Sequence, residues 1–294
     1  VSGAAIEREL RLPDGRRLAW AEQGDPDGAP VVACHGNPGS RRSWAPLDPG
    51  ALRGCRVIAP DRPGFGGSDG GARGHAEWPD DVRALADHLE LDSFAVAGVS
   101  GGGPYALGCA WRLAGRVSAL GLLGTGPVLP EVLRRAGPGV RAFFLAARQA
   151  PWLVRWRAGR LAAAARRDPE ALVRRTFAAA SAADRAVLER PGVTAHLARD
   201  FAEAFRRGGR ASAAELVLYA RPWCVPLAEV AAPTIVWHGA EDTVVDRACG
   251  AHLASGLPAA ELRIEPGAGH LGYLEHAGDV LRAVVARGAR SAPD

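Results

Sequence analysis

The 294 residues, 48% of them hydrophobic, suffice for one large core, or for one core carrying an inserted lid, and no stretch approaches the ~18 consecutive apolar residues of a membrane span. All 36 basic residues are arginine, leaving a formal net charge of +4, and the five cysteines (Cys34, Cys55, Cys109, Cys224, Cys249) are odd in number, widely spaced and free of any C-x-x-C pair. That spacing excludes a disulfide framework and a zinc knuckle, and reads as reduced, mostly buried thiols. From Val1 to Arg17 no basic region leads into an apolar one, so the expectation is a soluble, cytoplasmic protein without a secretory signal.

The predicted elements begin with a hairpin, Ile6 to Leu12 and Arg17 to Gln23 around a Pro13-Asp14-Gly15 turn. Three short apolar runs follow, Val31 to Cys34, Arg56 to Ala59 and Phe94 to Val99, each ending in a glycine- or proline-rich loop, as buried parallel strands do. Between the last two, Val82, Leu85, Ala86 and Leu89 stand at i, i+3, i+4 and i+7, the spacing of a helix lying on a sheet. Tyr105 to Trp111 continue as a helix and Val117 to Leu123 as another strand. The alternation then stops. Residues 127–230 are rich in Ala, Leu and Arg and broken by Pro130, Pro151, Pro169 and Pro191, which predicts short helices with no strands among them. It resumes with a strand at Thr234 to Trp237, a helix at Asp246 to Ala254, a strand at Glu261 to Ile264 and a last helix carrying Leu281, Val284 and Val285. The class is α/β, a mostly parallel twisted sheet with helices on both faces. Residues 1–126 and 231–294 form the core and 127–230 an inserted helical block.

Charge divides along the same line. Residues 127–230 hold 18 arginines against 9 acids, whereas the rest holds 18 against 23. A solvated helical surface accounts for the excess; the sharper reading is a basic lid that collects an anionic or carbonyl-rich substrate. Phe143, Phe144, Trp152, Trp156 and Trp223 are either the lining of an apolar acyl pocket or the block's own core.

Chemistry-bearing residues sit where predicted strands end. Gly98-Val99-Ser100-Gly101-Gly102 matches G-x-S-x-G between a strand and a helix, where a strained turn exposes a serine hydroxyl and leaves no space for flanking side chains. The new helix also directs free N–H groups and its positive dipole end towards a developing oxyanion. His35-Gly36-Asn37-Pro38-Gly39 follows an earlier strand, so the backbone N–H groups of Asn37 and Gly101 are the candidate oxyanion donors. Gly239-Ala240-Glu241-Asp242 and Gly267-Ala268-Gly269-His270 follow two later strands and supply a carboxylate and a base in the order Ser, Asp, His.

These segments, with Asp61-Arg62-Pro63-Gly64-Phe65-Gly66-Gly67-Ser68, make the chain resemble the α/β-hydrolase superfamily along essentially its whole length. The resemblance implies Ser100 as nucleophile, His270 as base, Asp242 as the orienting acid with Glu241 ranked behind it, and residues 127–230 as a cap over the pocket. It implies a shaping role for Asp61 to Ser68 and a scaffolding one for His35, and, because Ser100 stands where some relatives carry aspartate, it excludes the haloalkane dehalogenase and epoxide hydrolase mechanisms. Hydrolysis of a carboxylic ester or thioester is the leading expectation. Peptide cleavage of the proline iminopeptidase type ranks lower, since the block's acids, such as Glu131, Asp168 and Glu215, are outnumbered by arginine. Acyl transfer or cyclisation on the same residues stays open beside it, as does a non-catalytic role in binding a small ligand. His238, His252 and His276 read as surface or supporting residues. No spacing suits a metal, no motif suits a nucleotide cofactor, and no aromatic-interleaved basic run suits nucleic acid. The expected partner is a small acyl substrate, with no cofactor, nucleic acid or membrane.

Overall fold

In the computed structural model, which describes residues 5–45, 48, 50–70 and 73–290, the predicted strands assemble into one eight-stranded sheet of order β1-β2-β4-β3-β5-β6-β7-β8. The strands are β1 (Ile6–Arg11), β2 (Arg17–Gly24), β3 (Ala29–Cys34), β4 (Cys55–Pro60), β5 (Phe94–Val99), β6 (Val117–Leu123), β7 (Thr234–Gly239) and β8 (Ala260–Glu265). β1 pairs antiparallel with β2, and β2 with β4, while every pairing from β4 through β3 and β5 to β8 is parallel.

Side-chain alternation explains the burial. On β3, Val31 and Ala33 join a core on one face, with Val280, Leu281 and Val284 of α11 (Tyr273–Arg290). Val32 and Cys34 join the other, with α1 (Trp78–His88) and α2 (Gly103–Arg112). Both faces are covered, so the inner strands read as continuous apolar runs. The chain passes from β3 to β4 on one side and then to β5 on the other. This reversal opens a crevice at the carboxyl ends of β3 and β5, the place where such sheets bind ligands.

β6 and β7 are neighbours in the sheet, yet the chain leaves at Leu123 and returns only at Thr234. Seven helices fill the excursion: α3 (Pro130–Arg135), α4 (Pro138–Gln149), α5 (Pro151–Arg167), α6 (Pro169–Thr176), α7 (Ala182–Glu189), α8 (Val193–Ala204) and α9 (Arg210–Tyr219). No strand lies among them. Proline opens α3 to α6, where its missing N–H and fixed φ suit the first turn, and Asp168 and Ser181 cap α6 and α7 through the N–H groups of Ala171 (2.9 Å) and Asp184 (3.2 Å). After β7 come α10 (Arg247–Gly256), β8 and α11, as the spacing predicts. β5 and β6 coincide with their predicted runs and β1 stops one residue short, whereas β2, β3, β4, β7 and β8 overrun theirs by one or two residues at an end, because backbone pairing continues past the last apolar side chain.

The excursion has two halves. α6 to α8 share the main core through Leu172, Val173, Leu197 and Phe201. α4, the first half of α5 and α9 have a smaller one, built on Ala147, Val154, Ala158 and Ala213, while Ala162 and Ala165 of α5 join the main core. The buried stripe of α5 is Val154, Ala158, Ala162 and Ala165, which turns Trp152 and Trp156 outward, 66% and 60% exposed. Neither tryptophan lines the cavity beside Ser100 or joins a core, contrary to both expectations from the sequence. All five cysteines are free, and only Cys224 is exposed. No helix among the described residues is long and apolar enough to cross a membrane.

Candidate active site

Ser100 follows β5 directly and stands in the left-handed region, with φ of 52°. A non-glycine residue there is strained by crowding of its Cβ, and the turn persists because its surroundings fix it. Thr125 Oγ1 donates to the Ser100 carbonyl at 2.6 Å, and a Cβ on Gly98 or Gly102 would come within 2.6 Å of the Gly102 carbonyl oxygen or 2.2 Å of the Cys34 carbonyl oxygen. The two glycines therefore set the close approach of β3, β5 and α2.

Asp242 and His270 are brought together by pairing of the loops that follow β7 and β8. Ala240 N–H donates to Glu265 O and Glu241 N–H to Ala268 O, both at 2.9 Å. The Asp242 side chain is fully buried, whereas Glu241 is exposed, so Asp242 holds the position. Asp242 Oδ1 accepts the N–H groups of Val244 (2.8 Å) and Val245 (2.9 Å), and Oδ2 lies 2.8 Å from His270 Nδ1 and 3.4 Å from His238 Nε2. Burial opposes the negative charge on Asp242, but attraction to His270 and the bonds from His238, His270 and Val245 outweigh it and hold the carboxyl well below its usual range. Burial likewise opposes a charged His270, and the pull of Asp242 with a smaller one from Asp184 outweighs it, raising the imidazole above its ordinary 6.5. With Nδ1–H committed to Asp242, Nε2 is the ring atom left to take a proton.

The loop after β3 is clamped from beneath. Arg62, 0% exposed, donates through Nη1 to the His35 carbonyl, through Nη2 to the Gly36 carbonyl at 3.1 Å, and through Nε and Nη2 to Glu215 at 2.6 and 2.8 Å. Glu215 comes from α9. Its Oε2 also accepts Asn37 Nδ2 at 3.0 Å, while Ser212 Oγ donates to Asn37 Oδ1 at 2.6 Å. Tyr219 places its hydroxyl 2.9 Å from both Glu215 Oε2 and the Gly101 carbonyl. A Cβ on Gly101 would lie 3.1 Å from Asn37 Cβ, so the structure sets Asn37 and Gly101 side by side, with the Asn37 side chain tied down. His35 is buried scaffolding: Nδ1 bonds the Gly36 carbonyl at 2.8 Å, Nε2 accepts Arg62 N–H at 3.2 Å, and burial with the nearby Arg62 charge keeps it neutral.

Ser100, His270, Asn37 and Gly36 line one cavity of about 140 Å³. The excursion supplies much of the opposite wall, through Thr176, Phe177, Leu197, Asp200 and Phe201. Sequence reasoning missed Asp200, whose Oδ1 accepts Ser40 N–H (2.8 Å) and Oγ–H (2.6 Å); burial pushes its pKa up to about 7 against the pull of those bonds. It missed Asp184 too, whose Oδ1 accepts Leu271 N–H at 2.7 Å and whose carboxylate lies against the Cα of Gly269. One signal was present: Ser181-x-x-Asp184 is a capping pattern at the start of α7, although it speaks only for the helix. Of the other histidines, His238 is buried against Asp242, Nε2 donating to Val245 O at 2.8 Å. No group of three or more His, Cys, Asp or Glu side chains among the described residues could hold a metal.

A serine on a strained turn, a histidine held by a buried carboxylate and a clamped loop facing the next helix make a geometry suited to acyl transfer. Residues 29–277 match the family described as alpha/beta hydrolase fold. The chain belongs to that family. A pimeloyl-[acyl-carrier protein] methyl ester esterase from Aromatoleum aromaticum is 31% identical to this α/β-hydrolase over 264 residues, 88% of this chain and 98% of that protein. A dihydrolipoyllysine-residue acetyltransferase component of an acetoin cleaving system from Pseudomonas putida is 39% identical over 111 residues, and there the chain spans only 30% of the relative's length. Among solved structures, a hydrolase from Pseudomonas aeruginosa PA01 superposes with a TM-score of 0.69 at 24% identity, over 97% of this chain and 99% of that one, which establishes the shared fold.

Proposed function

We propose that this chain is a serine hydrolase that cleaves a carboxylic ester or thioester through an acyl-enzyme on Ser100. Ser100 Oγ attacks the carbonyl carbon while His270 Nε2 takes its proton, and Asp242 holds the imidazole and stabilises its charged form. The Asn37 and Gly101 N–H groups receive the oxyanion, each such donor being worth about 3–4 kcal/mol in the transition state. His270 returns the proton to the leaving group, and water repeats the sequence to release the acid. Residues 127–230 act as the cap, closing the cavity from above. The observation that carries the reading is that a left-handed Ser100 and an Asp242-oriented His270 share the walls of one cavity. Its small volume suits a short acyl group.

The test is turnover of p-nitrophenyl esters of increasing acyl length, with Ser100→Ala as control and a fluorophosphonate probe as label. Short esters are expected to turn over, and Ser100→Ala to lose both turnover and labelling. A wild-type protein inert to every ester and to the probe would overturn the reading in favour of ligand binding.

Asp200 favours a second reading. Asp200 lies on the cap side of the cavity, where an arriving ammonium group would favour its ionised form and be held as the free amino terminus of a peptide whose first residue is released by the same route. Faster turnover of proline p-nitroanilide than of p-nitrophenyl butyrate, lost in Asp200→Asn, would prefer it; the reverse order keeps the esterase.

A further inference from the structure

The cap hides its acids and displays its arginines. Four of its nine acids, Asp184, Asp200, Glu203 and Glu215, are buried, whereas none of its 18 arginines is. The imbalance is extreme on α4 and α5. Residues 138–167 contain seven arginines and no acid, and none of the seven pairs with a carboxylate among the described residues. Large apolar side chains stand among them: Val140 is 48% exposed, Leu145 55%, Trp152 66% and Trp156 60%. Trp152 and Trp156 are four residues apart and share a helix face. Arg160 lies 5.3 Å from the Trp156 ring centroid, and Arg157 of α5 lies 5.9 Å from that of Phe143 of α4, so cationic and apolar groups intermingle across both helices.

A groove of about 540 Å³ runs beside this face, lined by Trp156 and by Arg157, Arg160, Arg167 and Arg175. Thr176 lines both this groove and the Ser100 cavity. A cationic groove therefore borders the reaction site.

We propose that the α4–α5 face docks the protein on an anionic lipid bilayer, its exposed tryptophans and aliphatic side chains entering the headgroup boundary and the groove arginines meeting lipid phosphates. Tryptophan prefers that boundary, arginine keeps its charge at phosphate level while its stem lies in apolar surroundings, and anionic lipid supplies the charge this face lacks. A second copy of the chain fits poorly, since it would set seven unpaired arginines against seven. Surface docking needs no membrane-spanning helix, so the lack of a long apolar run, from which the sequence suggests no membrane partner, does not bear on it. The proposal is independent of the reaction assigned to Ser100.

The experiment is co-sedimentation of the full chain with vesicles of phosphatidylcholine alone or mixed with phosphatidylglycerol, at low and high salt. The variants are Trp152→Ala/Trp156→Ala and Arg157→Gln/Arg160→Gln/Arg167→Gln, with retained thermal unfolding and p-nitrophenyl acetate turnover as controls for folding. Binding is expected only with phosphatidylglycerol, falling with salt. At about 1 kcal/mol per arginine, the triple variant should bind roughly a hundredfold more weakly; the tryptophan variant should lose roughly tenfold or more. Absence of phosphatidylglycerol-dependent binding at low salt overturns the proposal, as does binding unchanged in both variants. Self-association abolished by the tryptophan variant, without vesicle binding, assigns the face to a second copy. Capture of polyglutamate but not vesicles assigns it to an acidic protein.

Discussion

The rim of the sheet and the helical excursion above it divide the work in opposite ways. The rim supplies the proposed reactive groups on loops that follow buried apolar strands: Ser100 after β5, Asp242 after β7 and His270 after β8. The excursion supplies no residue of the Ser-His-Asp set, but its buried acids each grip one of the rim's loops. Asp184 holds the loop of His270, Asp200 the turn at Ser40, Glu203 the Arg41 side chain (2.7 Å) and Glu215 the loop of Asn37. A carboxylate accepts hydrogen bonds without donating, and buried loops present N–H groups that need acceptors, so the acids turn inward while the arginines face water. The excursion contributes chiefly through the groups it hides.

The comparison breaks most visibly if a rim residue is changed. Asp242→Asn should lower kcat by about a thousandfold to ten-thousandfold by favouring the wrong histidine tautomer, with the fold intact. In the wild type, kcat/KM should fall as pH drops through a value above 6.5, because attraction to Asp242 outweighs burial and holds the proton on His270, and a protonated imidazole takes no further proton. In Asp242→Asn the residual activity should show that limb moved down; a limb unmoved in stopped-flow or steady-state pH profiles would remove Asp242 from the assignment.

Next in size is the clamp. Glu215→Ala leaves Arg62 charged and buried without its partner, and denaturant unfolding should show a loss of about 3–5 kcal/mol. A loss under about 1 kcal/mol, the range of an exposed pair, would mean that the excursion is not bolted to the rim at this point.

Asp184→Asn sharpens the comparison further. The amide can still accept Leu271 N–H but carries no charge, so kcat should fall about tenfold, KM should hold, and the acidic limb should move to lower pH as the attraction that helps raise His270 is lost. A KM change alone would make Asp184 a shape element of the pocket.

The smallest effect concerns stability. The folded-state pKa of Asp200 lies above its unfolded value, so the stability it contributes is complete below the ordinary carboxylate range and is lost as pH rises through about 7. Melting temperature should therefore decline across that interval, and the decline should flatten in Asp200→Asn.

Legibility followed range of interaction. Strand runs, the helix spacing before β5 and the elbow at Ser100 are written in neighbouring residues, because backbone geometry and side-chain alternation act over a few positions. The choice of Asp242 over Glu241 rested on resemblance, and burial supports it: one is enclosed and bonded to His270, the other is in water. Of the aromatic cluster, Phe144 packs on the small core of α4, α5 and α9 and Trp223 on the main sheet's core, but Trp152 and Trp156 were misjudged, because a helix as rich in alanine as α5 leaves its buried face to small residues and tryptophan then has no claim on the inside.

By itself, the sequence determined the α/β alternation, the point where it is interrupted and the strand ends that carry Ser100, Asn37, Asp242 and His270. Only the tertiary structure decided which acids of an arginine-rich segment are buried and what they hold. Asp184 and Leu271 are 87 residues apart, and Asn37 and Glu215 are 178. No local propensity relates such pairs. They meet because α7 packs on the main core and α9 packs through Ala211 against Phe65, and a carboxylate without water must find its donors where the fold puts them.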